Sequence, residues 1–215
     1  MTLRLHDYAA SANCYKVRLL LAQLGREYER VPVDIFGGDT LTDAYAAINP
    51  ARSTPVLQIG DDTYLPESGA ILAYLAEGTA FMPGDPIERA QVLRWLLFEQ
   101  TGVMMAIGGL RFRLLTGRLP ADSDAARRRR GQALAALGVL EAHLSPRDFF
   151  VGGYGIADIA MYGYVHVAGD AGIDLARFPA VRAWCERVAA QDGHVNDLEP
   201  YPANAMAGAG RSIYG

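Results

Sequence analysis

The sequence predicts a small α/β domain followed by an all-helical domain. Strand-like and helix-like segments alternate over residues 1–78, and every strong segment within residues 87–215 has helical periodicity. Between them, residues 79–86 contain two prolines and a glycine, a composition typical of a linker. With 215 residues, the chain is long enough for two domains that each enclose a core.

The first domain is predicted to have the element order β-α-β-α-β-β-α. Alternating apolar and polar residues indicate its strands, and apolar residues three or four positions apart indicate its helices. Gly25 and Gly78 stand where two helical patterns end, as a C-terminal helix cap requires. In chain order, the predicted elements are a strand over 3–8, a helix over 13–24, a strand over 28–33, a short helix from Thr40 or Thr42 to Ile48, a hairpin over 55–65 and a helix over 67–77.

The second domain is predicted to be helical throughout. Its first apolar pattern contains the doublet Gly108-Gly109, which should weaken or kink the helix. The last residues, 201–215, are too rich in glycine, alanine and proline for a prediction. The predicted helices span residues 87–115, 122–144, 156–167 and 179–191.

Composition and charge are those of an ordinary globular protein and argue against some partners. The chain is 51% hydrophobic and 20% charged, and its formal net charge is −4, so we expect no general attraction to nucleic acid or to an anionic membrane. Four arginines at 127–130 lie on a predicted helix and spread around its axis, so we expect no nucleic-acid patch there. No apolar stretch reaches the roughly 18 residues of a membrane span.

The sequence also bears on the cellular compartment and on metal binding. The first residues lack a basic leader followed by a long apolar stretch, so we expect no signal peptide and a cytoplasmic location. Cys14 and Cys185 are far apart and do not make a disulfide framework. No histidine has a partner at metal-ligand spacing, so we expect no metal site.

Two motifs at segment boundaries predict a site for a peptide-like ligand. A cis bond between Thr54 and Pro55 would turn the backbone of Val56 outward, where it can pair with a ligand as an added strand. Glu67 and Ser68 begin the next helix, where unpaired N–H groups and the helix dipole favour a ligand carboxylate. Glu67 would hold an ammonium, so this end fits an amino-acid terminus. The alternative is an ordinary strand start and an ordinary helix cap.

The turn from the first strand into the first helix, SANCYK at residues 11–16, contains two candidate reactive groups. Ser11 lies at the predicted helix N-terminus, where its hydroxyl can donate a hydrogen bond to a ligand thiolate. Cys14 lies one turn further on and should face the domain core, where a cysteine behaves as a small apolar residue. The residues favour an inert Cys14 but leave a reactive thiol open, because a thiolate is stabilised near a helix N-terminus.

Together these motifs resemble the glutathione transferase superfamily over essentially the whole chain. The resemblance rests on S-x-N-C-x-K-V-R-L-L-L at 11–21, N-P-x-x-x-T-P-V-L at 49–57, P-E-S-x-A-I-x-x-Y-L at 66–75 and G-I-A-D at 155–158. It implies a thioredoxin-like N-terminal domain, an all-helical C-terminal domain that forms the electrophile pocket, and glutathione as the ligand. Family members are usually homodimers, and the apolar segment 88–105 suits such an interface.

The resemblance also implies roles for individual residues. Ser11 falls on the thiol-activating hydroxyl of serine-type transferases, and Asn13 matches an asparagine that touches the sulfur in some bacterial members. Val56 would pair with the cysteinyl backbone of glutathione, and Glu67 and Ser68 would hold its γ-glutamyl ammonium and carboxylate. The implied glutathione-binding residues are Arg52, Thr54, Pro55, Val56, Glu67 and Ser68, and the implied pocket residues are Tyr8, Met104, Met105, Arg111 and Phe112.

Three positions depart from the family pattern. Ser53 replaces the Lys, Arg or Gln that often stands two residues before the cis-proline, which leaves open whether Arg52 reaches the glycyl carboxylate. Gly155 replaces the hydroxyl residue of a helix capping box, so only Asp158 can complete a hydrogen bond there. The S-x-C-x-W motif of the maleylacetoacetate isomerase branch is not matched, because Asn13 and Tyr15 stand in the places of its cysteine and tryptophan.

The activity implied is conjugation of the thiolate of reduced glutathione to small apolar electrophiles. Two alternatives stay open. One is a glutathione-dependent disulfide or peroxide reductase, and the other is a non-catalytic, transferase-like binding protein. Retention of Ser11, Asn13, Glu67 and Ser68 argues against the binding protein, which has no need of a complete ligand site.

Overall fold

A computed structural model describes residues 2–214, which form two compact units. The first unit contains the chain up to Leu75 together with the segment from Val195 onward, and the second unit is Ala76–His194. The sequence predicts a division at residues 79–86 and a tail within the helical domain. The structure instead joins the tail to the first unit.

The first unit contains a mixed sheet of four strands and three helices. These elements are β1 (Leu3–Asp7), α1 (Ala12–Gln23), β2 (Glu29–Pro32), α2 (Asp43–Ile48), β3 (Val56–Ile59), β4 (Thr63–Pro66) and α3 (Ser68–Ala76). The strand order is β2-β1-β3-β4, with β1 parallel to β2 and antiparallel to β3, and β3 antiparallel to β4. The predicted thioredoxin-like order of elements is confirmed. At the centre of the sheet, Leu5 and Leu57 pair across β1 and β3, and both are fully buried.

The second unit is helical, as the sequence predicts. Its helices are α4 (Pro86–Phe98), α5 (Gly109–Leu115), α6 (Asp124–Leu144), α7 (Ile156–Val165) and α8 (Pro179–Ala189), and a π-helical stretch, Glu99–Gly108, connects α4 to α5. None of the helices within residues 2–214 is long and apolar enough to span a bilayer.

The π-helical stretch was not predicted from the sequence, although it ends at the Gly108-Gly109 doublet. Gly108 packs against the ring of Tyr164 in α7, and a Cβ atom at this position would overlap that ring. The glycine therefore permits a close approach of two helices, in addition to any weakening of the helix that carries it.

The N-terminus of α7 is capped by the carboxylate of Asp158, which is fully buried. Asp158 Oδ2 accepts the N–H of Gly155 at 3.1 Å, and Oδ1 accepts Trp184 Nε1 at 2.8 Å and the N–H of Phe150 at 3.1 Å. A Cβ atom on Gly155 would lie 2.8 Å from the carbonyl oxygen of Phe81. The hydroxyl residue of a full capping box is therefore excluded here by space, and Asp158 alone reaches back, as predicted.

We predict that Asp158→Ala lowers the free energy of unfolding by about 3–5 kcal/mol, because three buried donors lose their acceptor. Gly155→Ser should also destabilise the protein, although it restores the capping-box residue, because its Cβ meets Phe81 O. Urea denaturation followed by tryptophan fluorescence measures both effects. Ser123→Ala is the control, since it removes the ordinary cap of α6 and should cost about 1 kcal/mol. A stabilised Gly155→Ser variant would contradict the spatial explanation.

Candidate functional site

Ser11 is the N-cap of α1, in the turn that follows β1. Its backbone is extended (φ −84°, ψ 120°), and its Oγ accepts a hydrogen bond from the N–H of Cys14 at 3.4 Å. The turn is closed by the N–H of Ser11, which donates to the carbonyl of Tyr8 at 2.9 Å. The cap uses a lone pair of Oγ and not the hydroxyl hydrogen, which is the donor that a ligand anion would need.

Cys14 lies in the interior of the first unit and is fully buried, as the sequence predicts. Its Sγ accepts a hydrogen bond from the N–H of Tyr8 at 3.4 Å. Burial, reinforced by the negative charge of Asp7, raises the pKa of the Cys14 thiol to about 12, although nearby hydrogen-bond donors oppose the shift. At neutral pH this thiol is protonated and has no contact with solvent.

A polar cluster joins the N-termini of α1 and α3. Asn13 Oδ1 accepts a hydrogen bond from Lys16 Nζ at 2.8 Å and another from the Ser68 hydroxyl at 3.4 Å. Lys16 is fully buried and Ser68 nearly so, whereas Asn13 is partly exposed, so the cluster reaches the surface of the unit at Asn13. The structure thus brings together Ser11, Asn13 and Ser68, three of the predicted site residues.

The loop before β3 is held by its own hydrogen bonds. The carbonyl of Ser53 accepts Asn49 Nδ2 at 2.9 Å and the hydroxyl of Tyr45 at 3.0 Å. The peptide bond between Thr54 and Pro55 is cis, as the sequence predicts, and both residues are buried. This loop therefore has a defined backbone next to the sheet.

Val56 does not present the open strand edge that the sequence predicts. It is the first residue of β3, a central strand, and pairs with His6 of β1 on one side and with Pro66 of β4 on the other. In an antiparallel ladder, the N–H and C=O of a residue point to a neighbouring strand. Thr54 lies just outside this ladder and is the nearer candidate for a backbone contact with a ligand.

Among the residues described, Arg52 and Glu67 are the two non-glycine residues with left-handed backbone, at φ 55° and 73°. Such residues are uncommon and concentrate at binding sites. Arg52 Nη1 donates to the carbonyls of Thr40 and Thr42, at 2.9 and 3.0 Å, and so holds the segment that leads into α2. Glu67 immediately precedes α3, outside the helix that the sequence places it in, and its side chain is exposed.

The predicted electrophile-pocket residues are divided between the two units. Tyr8, in the first unit, is buried and packs edge-on against Phe36, with 5.9 Å between ring centroids. Burial raises the pKa of the Tyr8 hydroxyl, so it remains a phenol at neutral pH. In the second unit, Arg111 is buried and its Nε donates to the Asp170 carboxylate at 2.8 Å. Arg111 is therefore a buried residue whose guanidinium pairs with the exposed carboxylate of Asp170.

Met105 is exposed and lines an open cavity of about 790 Å³ on the second unit. The cavity lies between the π-helical stretch and α6. Met104 and Phe112 are half-buried, and the Arg118 guanidinium lies 4.9 Å from the centroid of the Phe112 ring. Other residues that line the cavity include Phe98, Gly102, Arg128, Arg129 and Val139.

A buried ionic cluster that the sequence does not predict lies at the end of β1. The Arg18 side chain is 1% exposed and donates to Asp7 at 2.6 Å, to Asp197 at 2.9 Å and to the carbonyl of Ala9 at 3.2 Å. Arg30 pairs with the second oxygen of Asp7. The available signal was a charged residue inside an apolar helical run. Its partner Asp197 is 179 positions away, which no local pattern indicates.

The groups that the first unit gathers are a capping hydroxyl, an amide and two helix N-termini, which suit a small anionic ligand with a peptide-like backbone. Within residues 2–214, no set of three or more His, Cys, Asp or Glu side chains is arranged to hold a metal ion. A thioredoxin-like unit with this site, joined to a helical unit, defines a two-domain protein of the glutathione-transferase class.

Comparison with known families supports this class. The model described as "Glutathione S-transferase, N-terminal domain" matches residues 5–80, and the one described as "Glutathione S-transferase, C-terminal domain" matches residues 123–187. The chain therefore belongs to the glutathione S-transferase family, which confirms the resemblance of its motifs.

Relatives in this family have different activities. The chain is 31% identical over 189 residues to the disulfide-bond oxidoreductase YfcG of Escherichia coli, which covers 84% of this chain and 87% of the relative. It is 34% identical over 199 residues to a maleylacetoacetate isomerase of Rhizobium meliloti, which covers 87% of this chain and 92% of the relative. Family membership thus leaves the reaction to be inferred.

Solved structures share both the fold and the length. A glutathione S-transferase from Pseudomonas fluorescens has 42% identity and a TM-score of 0.89, over 93% of this chain and 100% of that one. A glutathione transferase from Pseudomonas putida, with one glutathione disulfide bound per subunit, has 28% identity and a TM-score of 0.80, over 89% of this chain and 88% of that one.

Proposed function

We propose that the chain is a serine-type glutathione transferase that conjugates reduced glutathione to small apolar electrophiles. The observation that supports this best is the cluster of Ser11, Asn13 and Ser68, in which one amide joins the N-termini of two helices. Each N-terminus offers N–H groups and the positive end of a helix dipole. The pair therefore suits a ligand that has a thiolate on one residue and a carboxylate on the next, as the cysteinyl and γ-glutamyl parts of glutathione do.

In the proposed complex, the residues around α3 bind the γ-glutamyl end. The exposed Glu67 carboxylate holds its ammonium, and the Ser68 hydroxyl with the N–H groups of the first turn of α3 holds its carboxylate. Thr54, rather than the ladder residue Val56, pairs with the cysteinyl backbone. Arg52 is already bound to two carbonyls before α2, so we assign it to shaping the loop and not to the glycyl carboxylate.

Ser11 controls the ionisation of the ligand sulfur in this proposal. A free thiol with a pKa of about 8.5 is only a few per cent thiolate at pH 7. One hydrogen bond from the Ser11 hydroxyl and the N-terminus of α1 would lower that pKa by roughly 1–2 units. Asn13 is the second candidate for this contact. The thiol proton is lost to solvent before the reaction.

The reaction forms a bond between the glutathione sulfur and a carbon of the electrophile. In a substitution, the leaving group departs with the electrons of its bond to that carbon. In an addition, the atom next to the attacked carbon takes the electrons of the bond that opens between them, and it then takes a proton from solvent. No covalent bond to the protein is required, and the remaining rate gain comes from holding the electrophile beside the sulfur.

A glutathione-dependent disulfide reductase is the second candidate, favoured by the similarity to YfcG. The same thiolate would attack a disulfide sulfur, form a mixed disulfide and release a thiolate, and a second glutathione would then release the other half. Burial raises the pKa of both Cys14 and Cys185 to about 12, so neither cysteine is suited to act as the thiolate. Assays with reduced glutathione against halides, epoxides, disulfides and peroxides distinguish the two reactions, and absence of all turnover would favour a binding protein.

We further propose that the protein is a cytosolic homodimer. Leu93, Leu97 and Met105 are spaced by multiples of four along one continuous helical segment, and each is more than half exposed. Val139 of α6 lines the same cavity as Met105 and is also exposed. An apolar patch of this kind is typical of an interface. Cys14 and Cys185 are both free thiols, as the reducing cytosol maintains them.

The ligand assignment predicts measurable binding of reduced glutathione. Calorimetry should show a complex at millimolar glutathione, and the double variant Glu67→Gln/Ser68→Ala should weaken it by tenfold or more, because about 1.5–3 kcal/mol of charge-assisted hydrogen bonding is lost. Glu27→Gln, which removes an exposed carboxylate of the same unit, is the matched control. Absence of heat with the unaltered protein, or full affinity in the double variant, would refute the assignment.

The sulfur assignment predicts a pH-dependent loss of activity in Ser11→Ala. If the hydroxyl donates to the thiolate, its removal should raise the apparent pKa of bound glutathione by about one unit and lower turnover near pH 6.5 by about tenfold. The loss should shrink above pH 9, where glutathione ionises unaided. Ser11→Thr should restore most of the activity, and Cys14→Ala should keep the pH profile. A mild Ser11→Ala with a severe Asn13→Ala would transfer the role to Asn13.

The dimer assignment predicts that Leu97→Glu produces monomers of 23.2 kDa at micromolar concentration, because it places a charge at the centre of the apolar row. Multi-angle light scattering measures the mass. Leu115→Glu, at an exposed apolar residue at the end of α5, should remain dimeric. A mass of one chain for the unaltered protein would show that the apolar patch of Leu93, Leu97 and Met105 is not a dimer interface.

A further inference from the structure

Two buried side chains of α2 converge on one carbonyl of the loop before β3. Tyr45 lies within α2 and Asn49 is its C-cap, four positions later, a spacing that places both side chains on one side of the helix. The Tyr45 hydroxyl donates to the carbonyl of Ser53 at 3.0 Å, and Asn49 Nδ2 donates to the same oxygen at 2.9 Å. Both side chains are buried, so both lone pairs of this carbonyl are used inside the first unit.

The direction of both hydrogen bonds follows from the chemistry of the groups. A carbonyl oxygen only accepts, so the Tyr45 hydroxyl donates to it, and burial raises the pKa of this phenol, which keeps its proton at neutral pH. Asn49 Oδ1 accepts the N–H of Ala51 at 3.0 Å. This contact sets the orientation of the Asn49 amide and leaves Nδ2 to face Ser53.

The two donors thereby orient the peptide that joins Ser53 to Thr54. This peptide is trans, since the one cis peptide bond within residues 2–214 is the next one along the chain, between Thr54 and Pro55. In a planar trans peptide, the C=O and the N–H point in opposite directions. Because the carbonyl of Ser53 points to α2, the N–H of Thr54 points away from α2.

The backbone of Thr54 has no hydrogen-bond partner within the described part of the chain. Neither its N–H nor its C=O is paired with any of residues 2–214, although Thr54 is only 8% exposed. Val56, on the other side of Pro55, is by contrast paired with both neighbouring strands. Buried backbone groups are nearly always paired, so an unpaired N–H whose direction is fixed is well placed to donate to a ligand.

We propose that Tyr45 and Asn49 are positioning residues of the glutathione site, which act through the Ser53 carbonyl to aim the Thr54 N–H at the cysteinyl carbonyl of the ligand. This inference rests on the proposed function, which assigns the cysteinyl backbone to Thr54, and adds the residues that give this contact its direction. Neither side chain touches the ligand. Their loss should therefore weaken the contact with the cysteinyl carbonyl and leave the γ-glutamyl contacts and the ionisation of the thiol unchanged.

Calorimetry of the full chain tests this with two probes. One is reduced glutathione, and the other is γ-glutamylcysteamine, which keeps the γ-glutamyl end and the thiol but lacks the cysteinyl carbonyl. Tyr45→Phe removes only the hydroxyl, and Asn49→Asp keeps the acceptor for the N–H of Ala51 but places an oxygen against the Ser53 carbonyl. The double variant should lose about fivefold in affinity for glutathione, as expected for one hydrogen bond, and less than twofold for γ-glutamylcysteamine.

Matched controls and a milder variant keep the test independent of folding. Tyr74→Phe and Asn196→Asp make the same chemical changes at exposed residues of the same unit, and their affinity for glutathione should stay within twofold. Urea denaturation shows whether the double variant is folded under the conditions of the titration. If it is not, Tyr45→Phe alone is used, and it should lose about twofold to threefold for glutathione only.

The outcomes separate this inference from the proposed function. An equal loss for both probes, or full affinity of the variants for glutathione, would overturn the inference while the function stands. If γ-glutamylcysteamine binds too weakly for calorimetry, the amide resonance of Thr54 in 15N-labelled protein decides: glutathione should shift it less in the variant than in the unaltered protein, and an equal shift would overturn the inference. If the unaltered protein does not bind glutathione, the proposed function fails and the inference fails with it.

Discussion

The ion pairs and hydrogen bonds of the buried Arg18 guanidinium are the interactions on which the turn into α1 and the course of the C-terminal tail depend. A charge with almost no exposure is stable only if its partners are held in place around it. Asp7 ends β1, Ala9 belongs to the turn into α1, and Asp197 lies in the tail, so a single side chain fixes three segments. Ser11 follows Ala9 by two residues. The cap of α1 and the course of the tail therefore share one support, and loss of this charge would loosen both.

The parts of the fold that could be predicted are those set by local periodicity. The β-α-β-α-β-β-α order and the helices of the second unit follow from apolar spacing, and the cis bond before Pro55 was expected from its place in that order. The tail has no such spacing, and its position is set by Asp197 and Asn204, which contact residues 170 or more positions away. Gly108, the last residue of the π-helical stretch, packs against Tyr164 of α7, and this contact likewise joins residues that are far apart in the sequence.

The candidate site divides in the same way. Ser11, Asn13 and Ser68 were predictable because a strand-to-helix turn and a helix start place side chains by local geometry. The sequence does not show that β3 has neighbours on both sides, and this pairing of Val56 makes Thr54 the nearer candidate for a backbone contact with a ligand. The sequence suggested Arg111 as a residue beside the electrophile pocket, and the structure shows that its guanidinium forms an ion pair with Asp170 of the same unit. Long-range pairing thus decides which predicted residues stay available to a ligand.

Burial, rather than intrinsic reactivity, decides between Ser11 and Cys14. A thiol is the stronger nucleophile, and a helix N-terminus favours its anion. Cys14 nevertheless lies three residues after Ser11, on the side of α1 that faces the interior. There, burial raises the pKa of the thiol to about 12, because its effect is larger than the opposing effect of the hydrogen bond from the N–H of Tyr8. In the proposed function, the reactive sulfur therefore arrives with the ligand, and conjugation and disulfide reduction start from the same thiolate. In this proposal the first step differs only in whether carbon or sulfur is attacked, and disulfide reduction then needs a second glutathione. Residues 11–16 would therefore activate the nucleophile, while the residues that hold the electrophile would select the reaction.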